Sequence, residues 1–120
     1  MTSLLLHMST PDQWRAALAV GRLGAPSLQA EGFLHLSTPQ QVHLPANRLY
    51  PGRTDLLLLC VDPARLGAEV RWEPGVPGDP ASMRFPHLYG PLPTSAVVAV
   101  VAYEPDADGV FGAPEGLPKV

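Results

Sequence analysis

Imidazoles sit inside short apolar stretches of this chain. Gly32-Phe33-Leu34-His35-Leu36-Ser37-Thr38 and Phe85-Pro86-His87-Leu88-Tyr89-Gly90-Pro91 each place a histidine among residues that favour extended backbone. Alternate side chains of a strand share a face. Phe33, His35 and Ser37 therefore point one way and Leu34 and Leu36 the other. By the same parity Phe85, His87 and Tyr89 share a face, as do His7 with Ser9 and Arg71 with Glu73. Four strands that each offer such a pair could converge on one polar cleft. The chemistry there would be a histidine that orients a ribose or phosphate, a glutamate that serves as base and an arginine that holds an anion.

For any one histidine alone, the competing expectation is a hydrogen-bonded residue of the core. His35 and His87 together favour a site, because hydroxyl or turn residues flank each of them. Glu73 has its own plain alternative, a strand-end carboxylate paired with Arg71 or Arg84. No metal site is expected from His7, His35 and His87, since no HxxxH, HxH or CxxC spacing supports one. Nor is there a GxGxxG, a Walker loop or a GxSxG. His43 lies beside the expected buried stripe of a helix and reads as surface.

The elements that must position these residues are short. Residues 4–8 read as a first strand. Thr10-Pro11-Asp12-Gln13 then carries an N-cap, a first-turn proline and a capping-box glutamine. Trp14, Ala17 and Leu18 would form that helix's buried face, and Gly21 or Gly24 would end it. Residues 32–36 make the second strand. Ser37 or Thr38 followed by Pro39 predicts a second helix, with Val42, Ala46 and Leu49 buried and Pro45 kinking or ending it early. The continuous apolar run 55–61 is the central strand. A helical turn at 63–67, a strand at 69–73, a loop at 74–83, an extended stretch at 84–89 and a β-branched strand at 97–103 follow.

The chain has 120 residues, which suits a single domain with a core of its own. Residues 1–103 form that domain, and 104–120 form an acidic, Pro/Gly-rich tail that is loose or docked as coil and dispensable for folding. Net charge is −3, and the tail carries all of it, because residues 1–103 hold seven arginines and seven acids. A neutral body argues against general nucleic-acid binding, while its arginines suit bidentate grip of a phosphate. The single Cys60 reads as a buried small hydrophobe. The N-terminus lacks a basic flank and cleavage site, and no apolar run approaches the roughly 18 residues of a membrane span. A soluble, cytoplasmic protein is the expectation.

With residues 5–8 and Trp14, the segments 32–38, 55–62, Leu66-Gly67, Arg71–Pro74 and 85–93 resemble the family known as domain of unknown function 952, in its order and over about residues 4–103. That family is similar in fold to ADP-ribosyltransferases. The resemblance implies an α+β fold of two small sheets around a cleft that takes NAD, with two or three short helices. His7-Met8-Ser9, His35-Leu36-Ser37 and Leu58-Leu59-Cys60-Val61-Asp62 also look like motifs of the RNA 2′-phosphotransferase branch. Met8 replaces that branch's glycine, so the RNA activity is not carried over. The resemblance implies an enzyme of ADP-ribosyl transfer or a non-catalytic module that binds a nucleotide or small anion. In the first, His35 and Ser37 position a ribose or phosphate, Glu73 or His87 polarises the attacking group, Arg71 meets a phosphate and Tyr89 stacks on a base, with His7 a further ligand contact. No tightly bound cofactor is implied; NAD would be a substrate.

Overall fold

A computed structural model describes residues 4–24, 27–75 and 83–118. The class is α+β, with three small antiparallel sheets and three α-helices among those residues. In chain order the elements are β1 (Leu5–Ser9), α1 (Pro11–Val20), β2 (Arg22–Leu23), α2 (Ser27–Glu31), β3 (Leu34–His35), α3 (His43–Leu49), β4 (Leu56–Val61), β5 (Val70–Pro74), β6 (Arg84–Leu88), β7 (Leu92–Pro93) and β8 (Val97–Tyr103). Single 3₁₀ turns lie at Pro63–Arg65 and Thr94–Ala96. Most of the expected loop 74–83, residues 76–82, lies outside the described residues.

The first sheet runs β1-β4-β8, with β4 central as its apolar run demands. Alternation along β4 feeds two cores. Leu56, Leu58 and Cys60 join Leu4, Leu6, Val42, Ala46, Tyr103 and Phe111 on one face. Leu59 and Val61 join Leu5, Leu34, Leu36, Leu88, Leu92 and Ala96 on the other. A strand covered on both faces needs a continuous hydrophobic run. Leu57 is only half-buried, because it lies opposite Ser9 and Ala102 near the sheet's end. The second sheet, β3-β6-β5, covers the second core. A two-stranded ribbon of β2 and β7 makes a third sheet where two were expected. Only the long-range partner reveals it: Arg22 pairs with Pro93, and Thr94 bonds back to the Gly21 carbonyl through both its amide and its hydroxyl.

Helix α1 begins as its sequence dictates. Thr10 Oγ1 accepts from the Gln13 amide at 3.1 Å, and Gln13 Oε1 accepts from the Thr10 amide at 3.0 Å. Gly21 closes it at φ 85°. Its buried face is narrower than expected: Ala17 is buried, Trp14 half-buried and Leu18 58% exposed. The helix spans a cleft, which Ala16, Ala17 and Val20 line, instead of lying flat on the core. Helix α3 starts at His43, not at Thr38, because Thr38 to Val42 close hydrogen-bonded turns first. Pro45 then falls in the first helical turn, where a missing N–H costs nothing and no kink results. Val42 and Ala46 are buried as expected, whereas Leu49 is exposed at the helix end. The short helix α2 had no expected counterpart.

Residues 104–118 are coil docked onto the first core. Phe111 is 1% exposed and packs on Tyr103 at 4.8 Å. Asn47 clamps its backbone, donating to the Phe111 carbonyl at 2.9 Å and accepting from its amide at 2.8 Å. The Tyr103 hydroxyl donates to the Gly112 carbonyl. Of the two expected forms, loose or docked as coil, the described part of the tail takes the docked one and adds Phe111 to the first core. Phe111→Ala should cost about 3–5 kcal/mol and Leu59→Ala about 2–5 through lost transfer energy and residual cavity. Urea denaturation checks both, with Leu57→Ala the milder control.

Candidate functional site

The second sheet builds its outer face by register. His35 pairs with His87 across β3 and β6, and His87 pairs with Arg71 across β6 and β5. Directly opposed residues share a face, so His35, His87 and Arg71 form one row. Leu34, Leu88 and Val70 form the adjacent row, turned inward. Glu73 lies opposite Phe85, one repeat further along the outer face.

His87 is the anchor of that face. Its side chain is 3% exposed because Phe33 lies flat on it, with ring centroids 4.1 Å apart and planes 13° off parallel. His87 Nδ1 is 2.9 Å from Glu73 Oε1, and the Tyr89 hydroxyl donates to the same oxygen at 2.6 Å. The Tyr89 bond first, then the His87 bond, hold the Glu73 carboxyl below its usual range; Glu73 in turn pushes the Tyr89 phenol up. An anionic Glu73 accepts from Nδ1–H, and in the neutral ring Nε2 is then the lone-pair nitrogen. The guanidinium of Arg71 lies 4.5 Å from the Tyr89 ring centroid and pairs with Glu69. Glu73 thus pairs with His87 and Tyr89, not with Arg71 or Arg84 as a plain strand-end carboxylate would.

Beside this cluster opens a cleft of about 760 Å³, within the size range of small-molecule sites. Helices α1, α2 and the end of α3 wall it with Ala16, Ala17, Val20, Ala30 and Leu49, and β1, β3 and the chain just beyond β3 supply His7, His35 and Ser37 in turn. Gln13, Arg22, Ser27, Glu31, Arg48 and Tyr50 add to its polar lining. A reciprocal pair of backbone bonds between Leu6 and Ser37 joins the first two sheets here. His7 consequently donates from Nδ1 to the His35 carbonyl at 2.8 Å. Burial holds the His7 imidazole below its ordinary pKa. His35 Nε2 lies 3.0 and 3.2 Å from the two Glu31 oxygens, which Gly32 at φ 85° folds back toward it.

The sequence candidates thus fall into two adjoining groups. His7, His35 and Ser37 line the cleft; Arg71, Glu73, His87 and Tyr89 form the neighbouring cluster. His35 joins them, since its ring meets both Phe33 and His87 edge-on at 5.1 Å. Ser9, paired with His7 by parity, is buried and bonds locally to the Thr10 carbonyl. His43 is half-buried. Arg22, Glu31 and Arg48 carry no local pattern in the sequence, because two separate helices and a ribbon bring them together. Among the described residues no group of three or more His, Cys, Asp or Glu is placed to hold a metal ion. No helix there is long and apolar enough to cross a membrane.

A family model described as a protein of unknown function, DUF952, matches residues 8–100. The chain is also similar to protein CC0527 of Caulobacter crescentus. Against its crystal structure the TM-score is 0.77 at 37% identity, covering 92% of this chain and 94% of that one. Against a crystal structure of its double mutant the TM-score is 0.76 at 36% identity, with the same coverage. The solution structure gives 0.74 at 38% identity over 90% of each chain. The comparison with curated proteins finds no match.

The His7 geometry sets a pH dependence. Its folded pKa lies below the ordinary 6.5, so between the two values the unfolded chain binds more protons and stability rises with pH. The contribution is fully present above 6.5 and is lost as pH falls from there through the folded value. His7→Gln should flatten that part of the profile of melting temperature against pH. A profile identical to wild type between about pH 7.5 and 5 would show that His7 is not held neutral.

Proposed function

This chain belongs to the DUF952 family, and we propose that its cleft binds a phosphate ester of nucleotide type, with NAD and ADP-ribose the first candidates. One observation carries the reading. Arg15, Arg53, Arg65 and Arg71 each sit against a carboxylate. Arg22 and Arg48 line the cleft, and among the described residues neither has an ion-pair partner. A guanidinium offers a planar fork of donors matched to phosphate oxygens. The arginine role expected of Arg71 passes to these two, because Glu69 and Tyr89 already hold Arg71.

The rest of the lining suits the remainder of such a ligand. The apolar wall from α1 and Leu49 would cover a base, and His7, His35 and Ser37 would meet hydroxyls. Two three-stranded sheets meeting beside a cleft agree with the ADP-ribosyltransferase-like fold that forms part of this reading. The second reading, a transferase of the ADP-ribosyl type, is favoured by the Glu73–His87–Tyr89 hydrogen bonds lying one ring from the cleft. In either reading NAD is a ligand or substrate and not a resident cofactor, and the protein acts in the cytoplasm.

Titration calorimetry with NAD and ADP-ribose tests the proposal. Saturable binding is expected, and Arg48→Ala or Arg22→Ala should weaken it about tenfold, equivalent to about 1.4 kcal/mol, with the melting temperature unchanged. Absence of binding by wild type, or equal affinity in both variants, would contradict it.

A further inference from the structure

The least explained atom of the fold is Nε2 of His87. It is buried and has no hydrogen-bond partner among the described residues. Leaving such a nitrogen unpaired costs its desolvation penalty, and proteins keep few of them. The other ring nitrogen is committed to Glu73, whose oxygen also takes the Tyr89 hydroxyl, so the ring is fixed in orientation and its acceptor is defined. A histidine needed only for packing would not require two groups to set its tautomer.

The position of this nitrogen is as specific as its chemistry. His35 lines the cleft and meets His87 edge-on at 5.1 Å. Phe85, two residues before His87 on the same strand face, lines the cleft as well. His87 therefore lies immediately behind the cleft wall. One face of the imidazole is covered by the half-buried Phe33, which follows the left-handed turn at Gly32 and stands outside β3. Phe33 also touches His35 and Tyr89.

We propose that His87 Nε2 is the acceptor for a hydroxyl of the cleft's ligand, on a sugar-like part beside its phosphate, reached when Phe33 turns off the imidazole and the in-plane edge of the ring opens to the cleft. The proposal rests on the phosphate-ester reading of the cleft. It adds a second requirement to that reading: a phosphate alone is insufficient, and the ligand carries a hydroxyl donor close to it. Burial keeps the acceptor dry until the ligand arrives, where a hydrogen bond is stronger than in water.

Nitrogen-15 NMR of the intact protein tests this, with ADP-ribose and inorganic pyrophosphate as probes. In the free protein His87 should carry its proton on Nδ1 and none on Nε2. ADP-ribose should move the Nε2 resonance toward the protonated position and abolish the Phe33–His87 ring contact. Pyrophosphate should move only the Arg22 and Arg48 side-chain signals. If ADP-ribose moves the arginines and leaves Nε2 and the ring contact unchanged, the acceptor role is overturned and the phosphate-ester reading stands. If ADP-ribose moves His87 and neither probe moves the arginines, the acceptor role holds and the arginine role falls. Silence of all three residues overturns both. As a variant arm, His87→Asn keeps an amide near Nδ1 and loses the acceptor, whereas His87→Gln places an amide near Nε2. The Asn variant should lose about tenfold in ADP-ribose affinity, roughly 1.4 kcal/mol, with pyrophosphate affinity unchanged, and Gln should restore part of it. Equal loss for both probes would mark His87 as structural.

Discussion

Two backbone hydrogen bonds between Leu6 and Ser37, at 2.7 and 2.8 Å, hold the functional half of this molecule together. They form the β-bridge by which β1 of the first sheet meets the chain just beyond β3 of the second. Register then does the rest. With Leu6 fixed opposite Ser37, His7 reaches the His35 carbonyl, and His35 faces His87. Both strands send their leucines into the cores and leave imidazoles at the rim. A slip of one residue would exchange those faces and destroy core and cleft together.

Burial of the first sheet on both sides makes that bridge dependable. The second sheet covers one face, and α3 with residues 104–118 covers the other. Asn47 ties the two covering segments by a reciprocal pair of bonds to Phe111. Helix α1, with only Ala17 fully buried, is free to stand over the cleft as a wall. Rigid strands thus carry the polar groups, and thinly buried helices carry the apolar lining.

Local signals in the sequence marked what local physics decides. The capping box of Thr10 and Gln13, the run of β4 and the β-branched β8 appear where they were expected, and strand parity put Leu34, Leu36 and His35 on the correct faces. Long-range contacts were not legible. Nothing near Arg22 foretells a ribbon with Pro93, and the periodicity search passed over Phe111 because a lone aromatic in coil has no period. Pro45 misled because its effect depends on where the helix starts, which the turns at Thr38 to Val42 decide. The site was half legible. Parity identified all four histidine and carboxylate strands, but not that Phe33 would seal His87 and leave the cleft to His7, His35 and Ser37. The two arginines of the cleft carry no sequence signature, because only the fold shows that they have no acidic partner among the described residues.

We propose that one ligand is gripped by arginines at the cleft and reaches toward the imidazoles of the sheet junction. A crystal structure grown with ADP-ribose tests it most directly. The account predicts the diphosphate against Arg22 or Arg48, the base on the α1 wall, and a ribose hydroxyl at His35 or, with Phe33 displaced, at His87. A cleft left empty at saturating ADP-ribose, or a ligand bound away from both arginines, would contradict it.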